Sequence, residues 1–137
     1  MATQTSTSID YGALEIDQCS HREALLTFAG AATAKKGTIL AVDSSTLKYV
    51  LFVKGGSSNG NGIPKAVLGY EVVATGASDI KVSAIVEGKL NKKRLVIHAN
   101  GDDSAVDVAV LDQLRDYGIV AVNVEQAGGA LYTDEDS

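Results

Sequence analysis

IKVSAIVE, residues 80–87, alternates along its length so that Ile80, Val82, Ala84 and Val86 fall on one face of an extended chain. Period two marks a half-buried strand, and the neighbouring segments read the same way. Residues 38–42 and 48–53 are β-rich runs joined by DSSTL, 43–47, a credible hairpin loop. Residues 66–73 resume a strand, and ATGASD, 74–79, turns it into the alternating segment. Upstream, residues 23–28 form the first plausible strand. Downstream, 95–97 predict a short one after a turn at GKLNKKR, 88–94.

The period then changes. Val106, Ala109, Val110, Leu114 and Tyr117 share a helical face, with Asp112, Arg115 and Asp116 opposite, which predicts one helix over about 104–117. Asp102, Asp103 or Ser104 supplies its N-cap, and Gly118 its C′ residue. Residues 119–124 read as a last strand. The expected architecture is a small, mostly antiparallel β body over 23–126 with one short late helix. It follows an extended, mobile N-terminal arm, 1–22, and precedes an acidic C-terminal tail, 127–137.

Composition agrees with a single domain. A chain of 137 residues buries roughly two thirds of its unfolded surface, so its core needs no metal or disulfide. Fourteen glycines against one proline suit many tight turns between short strands. The net charge of −5 argues against a nucleic-acid partner, which demands a basic face. Apolar runs such as YVLFV, 49–53, are far too short to span a bilayer, and no membrane partner is expected. The lone Cys19 can form no internal disulfide. The opening residues lack a basic stretch followed by an apolar one, so the expected place of synthesis is a cytoplasm.

A search for chemistry returns little. The loop KGGSSNGNGIPK, 54–65, leads to Ile63-Pro64 and a strand, whereas a phosphate loop needs Gly-Lys-Ser/Thr opening a helix. Cys19, His21 and His98 are too few for a zinc site, and Cys19 has no recognisable base and orienting group. The carboxylates at 102–103, 112–116 and 134–136 are explained by capping, a solvated face and a tail. Lys35-Lys36 and Lys92-Lys93-Arg94 read as solvated turn tips. No catalytic, metal or cofactor-binding residue is therefore assigned, and the chain is not expected to be an enzyme. The alternative is a small β-barrel ligand-binding or carrier module, since Glu87-Gly88-Lys89-Leu90 would place a lysine at a hairpin.

The order of the pieces is more specific than any one of them. Gly37-Thr38-Ile39-Leu40-Ala41 precedes the Tyr-bearing Lys48-Tyr49-Val50, and a Gly-rich gap precedes Ala66-Val67-Leu68. Val86-Glu87-Gly88 then ends the alternating strand, and residues 111–114 lead to Arg115-Asp116-Tyr117-Gly118-Ile119. Across roughly residues 35–120 this order resembles the lambda-type head decoration proteins of tailed bacteriophages. The resemblance implies a β-tulip type of barrel or sandwich-like body. It also implies a homotrimer that binds the major capsid protein on the outer surface of the expanded head and reinforces the shell against packaged DNA. Two departures accompany it: the N-terminal arm is long for the family, and the chain continues past the usual end near Ile119.

The arm suits this role. Thr3, Thr5, Thr7 and Ile9 lie at period two and are β-compatible once a template strand is present. With Tyr11, Leu14 and Ile16 they are the expected capsid-binding residues. Removing residues 1–20 is expected to leave a folded trimer that no longer binds heads.

Overall fold

The computed structural model describes residues 14–122. Its elements, in order, are β1 (Glu15–Phe28), β2 (Ala32–Ala34), β3 (Ile39–Val42), β4 (Tyr49–Leu51), β5 (Ala66–Leu68), β6 (Val72–Ala74), β7 (Ser78–Asn91), α1 (Val108–Asp116) and β8 (Ile119–Val122). Strands β1, β4, β3, β5 and β7 follow one another, and β7 pairs back onto β1, closing a five-stranded barrel. β8 adds to β7, and β2 with β6 forms a separate small sheet. Most pairings are antiparallel, as expected, but β1–β4 and β7–β8 are parallel.

Along the alternating segment one face is buried or half-buried throughout, while the other is exposed at Lys81 and Glu87 and buried only at Ile85. Ile80, Val82, Ala84 and Val86 pack with Leu26, Phe28, Leu40 and Leu68 in one core. Ile85 faces the other way and joins Ile39, Ala41, Phe52 and Val67 in a second, which α1 covers with Val110 and Leu114. Leu90, although even-numbered, belongs to the second core. The change of face coincides with Gly88, at φ +132°, and with register shifts opposite it in β1 between Asp17, Ser20 and His21. A bulged ribbon of this kind bends and passes from one core to the next.

Several boundaries differ from the sequence reading. β1 starts at Glu15 rather than at residue 23, and Leu14 before it is only 2 % exposed. Residues 15–22 owe their order to pairing with β7, and the register shifts leave no clean period to read. The predicted strand 66–73 is two strands. It breaks at Gly69, whose N–H donates to the Ser83 carbonyl, after which β6 pairs with β2. The turn expected at 88–94 is strand as far as Asn91, followed by a 3₁₀ turn over Lys92–Arg94. Residues 95–97 form only isolated bridges, Thr38 with Val96 and Ile97 with Asp102.

The helix starts later than expected. Asp107, not residues 102–104, is its N-cap, with Oδ1 accepting from the Val110 N–H at 3.1 Å. Asp102 instead folds a turn through the Ser104 N–H at 3.0 Å. Val106 reaches the core from that turn, while Ala109 and Tyr117 are exposed. Gly118 does end the helix with φ +97°.

Candidate functional site

Both described ends of the chain meet at one end of β7. Leu14 is buried, and its carbonyl accepts from the Asn91 N–H at 2.8 Å. On the other side of β7, Val122 pairs with Asn91 in the parallel ladder. Segments 1–13 and 123–137 therefore depart from opposite edges of one strand, about 10 Å apart by two strand spacings. Asn91 is itself buried, and its Oδ1 accepts from the Lys93 N–H at 3.1 Å, which fastens the 3₁₀ turn.

Gly37 locks a second loop onto this corner. Its φ is +92°, and a Cβ there would run into the Arg94 carbonyl. The Gly37 carbonyl accepts from the Val96 N–H at 2.9 Å, and the Val96 carbonyl accepts from the Ile39 N–H at 2.8 Å. The backbone that follows Lys35-Lys36 is thus packed on the backbone that follows Lys92-Lys93, two stretches read from sequence as separate turn tips.

Of the expected capsid-binding residues, Thr3, Thr5, Thr7, Ile9 and Tyr11 lie outside the described residues. Leu14 is a core residue packed with Leu90 and Leu95, and Ile16 is half-buried within β1. These two belong to the body and fix the point from which the preceding segment departs.

The remaining polar groups serve structure. Cys19 lies against Gly88 and donates from Sγ to the Lys89 carbonyl at 3.5 Å. His21 sits 3.2 Å from the Glu15 carboxylate, and His98 lies in the turn after Ile97. Among the described residues no group of three or more His, Cys, Asp or Glu could hold a metal ion. Lys89 is not at a hairpin: it lies inside β7, paired with Asp17 and Val120, which removes the premise of the carrier reading.

A depression of about 550 Å³ lies between the glycine-rich loop and α1, lined by Phe52, Lys54, Gly62, Asp107, Val110 and Gln113. Its two charges are committed to each other. Lys54 Nζ lies 2.7 Å from Asp107 Oδ2 and also donates to the Ala105 carbonyl at 2.9 Å. The Lys54 hydrogen bond, followed by the Val110 N–H, holds the Asp107 carboxyl below its ordinary range. It is an ionised cap, unsuited to act as a general acid near neutrality. The loop's own groups are turned inward, with Gly56 N–H donating to the Val53 carbonyl and Asn61 Oδ1 accepting from the Ser58 N–H.

The description of the bacteriophage lambda head decoration protein D family matches residues 2–119. This chain belongs to that family. Among curated proteins, no match was found. The family match opens at residue 2, so the N-terminal segment falls within its span. It closes at Ile119, and the rest of β8 and the acidic segment follow. For this head decoration protein the sequence could not show the Asn91 corner. Asn91 stands in GKLNKKR, 88–94, a stretch whose composition reads as a turn.

Proposed function

We propose that this phage head decoration protein binds the outside of the mature head as homotrimers, reinforces it against internal DNA pressure, and holds the major capsid protein through its N-terminal segment. One observation carries the reading. Segment 1–13, inside the family's span, departs from a buried anchor, Leu14, at the edge of the barrel strand β7.

The energetics favour a multivalent arm. Added to the edge of a capsid strand, Thr3, Thr5, Thr7 and Ile9 would gain about 1 kcal/mol per net hydrogen bond. Ordering each residue costs about 1–2 kcal/mol. One arm therefore binds weakly. Three arms on one trimer multiply apparent affinity by roughly 10²–10⁴, provided the capsid sites match their spacing. An immature shell presents a different spacing and is passed over.

The test compares the full chain with one lacking residues 1–13 on heads stripped of decoration protein. The shortened chain is expected to fold and sediment like the full one, yet to leave heads bare at concentrations that saturate the full chain. Full occupancy by the shortened chain would refute the arm's role, and a strictly monomeric full chain on filled heads would refute the trimer.

A further inference from the structure

We propose that Asn59 is a site of spontaneous covalent modification, where the Gly60 backbone nitrogen closes on the Asn59 side chain and water then opens the ring. The chain holds three Asn-Gly pairs, Asn59-Gly60, Asn61-Gly62 and Asn100-Gly101. In each the glycine lacks a Cβ to shield the attacking nitrogen, so the dipeptides alone do not rank them. The structure does. Asn59 is exposed, and its side chain makes no hydrogen bond among the described residues. The Gly60 N–H donates none either. Asn59 and Gly60 have φ of +52° and +82°, and the Asn61 N–H donates to the Ser58 carbonyl at 3.1 Å. This is the φ pattern of a type I′ turn, in whose closing hydrogen bond the N–H of the second central residue has no part.

The other two pairs are held more firmly. Turning the Asn59–Gly60 peptide for attack releases one hydrogen bond, from the Ser44 N–H to the Asn59 carbonyl at 2.9 Å. The Asn61–Gly62 peptide must release its counterpart, from the Val53 N–H at 2.9 Å, and also the bond from the Ser58 N–H to Asn61 Oδ1 at 3.1 Å. Gly62 is wedged besides, since a Cβ there would run into the Gly56 carbonyl. In the third pair the nucleophile itself is occupied: the Gly101 N–H donates to the carbonyls of Ile97 at 3.0 Å and His98 at 3.2 Å. One extra hydrogen bond to break costs about 1.4 kcal/mol, roughly a tenfold slowing. The chemistry needs only water. Attack of the deprotonated Gly60 nitrogen on Asn59 Cγ forms a cyclic imide and expels the side-chain nitrogen as ammonia. Water added at Cγ restores the main chain beside an aspartyl side chain. Water added at the main-chain carbonyl carbon instead routes the chain through the side chain, an isoaspartyl link. That link lengthens the loop lining the depression beside α1. The reaction does not depend on how the head is bound.

The test incubates the folded full chain at mildly alkaline pH, digests it with trypsin, and compares it with an unincubated sample digested alongside. Peptide 55–65 carries Asn59 and Asn61, and peptide 95–115 carries Asn100. Fragmentation in the mass spectrometer places the added mass, the difference between a carboxyl and an amide, on one residue. Asn59 is expected to convert at least about tenfold faster than Asn61 and Asn100. In concentrated urea the three rates should draw together, because the hydrogen bonds that rank them are gone. Asn61 or Asn100 converting first, equal rates in the folded chain, or no conversion at Asn59 overturns the proposal. So does a lead for Asn59 that persists undiminished in urea, which would make its neighbours in sequence, and not the fold, the cause.

Discussion

A side chain at position 88 would meet the Cys19 Cα at 2.7 Å while holding φ at +132°, a region that L-residues rarely adopt. The position carries two separate demands, conformational freedom and close approach of two backbones. Strain of roughly 1–3 kcal/mol and overpacking of similar size should make Gly88→Ala lose about 2–5 kcal/mol in urea unfolding. Gly30 is the control, with nothing within 4 Å of a Cβ and no positive φ. Gly30→Ala should be neutral or up to about 1 kcal/mol more stable. Equal effects at the two positions would mean that the bulge is not what needs glycine. Charge acts at this scale too. Asp79 is held below its ordinary 3.8, first by the Lys48 hydrogen bond and then by Thr27. Asp43, Asp102 and Asp107 are lowered as well, each first by a hydrogen bond, from Ser45, Ser104 and Lys54. A depressed carboxyl stabilises the fold above its unfolded value and loses that contribution as pH falls through the folded one. The melting temperature should therefore stay level from pH 7 to 5 and fall once pH drops below about 4. Asp79→Asn should flatten that decline in calorimetry.

Helix α1 shows what an element reveals before folding and what it hides. Leu114 and Val110 stood out at helical spacing, and both are buried against Phe52 and Ile119. Leu114→Ala should lose about 2–5 kcal/mol. Val108→Ala, at a side chain 71 % exposed, should stay within about 0.5 kcal/mol, both read from chemical denaturation. The start of α1 was misplaced because Asp102, Asp103 and Ser104 are good caps that an Asx turn claimed first. Strand β7 was visible at 80–87, where the even-numbered side chains all face one core, and invisible beyond Gly88, where Leu90 turns to the other. Strand β1 before residue 23 was hidden for the matching reason, since its order comes from a bulged partner remote in sequence. The packing of the loop at Gly37 on Arg94 and Val96 was hidden because it joins segments remote in sequence through backbone contacts.

For the whole molecule, the point at which body becomes arm decides what a truncation means. Removing residues 1–13 spares Leu14 and every described strand, so stability should match the full chain. Removing 1–20 also takes a fully packed leucine and the pairings of Glu15, Asp17 and Ser20 with Leu90, Lys89 and Glu87. Leu14 burial alone makes a loss of about 2–5 kcal/mol the expected outcome, so lost head binding in that shorter chain would say nothing about the arm. The informative comparison is between the arm alone and the arm on its body. On the proposed trimer, a peptide of residues 1–13 meets the same capsid strand with the same hydrogen bonds but without tethered neighbours. It should bind heads roughly 10²–10⁴-fold more weakly than the intact protein, in fluorescence titration against stripped heads. A peptide as tight as the intact protein would mean that each arm acts alone and that the spacing set by the body contributes nothing. No binding at all by the peptide, with the shortened chain still bound, would move the contact onto the body itself.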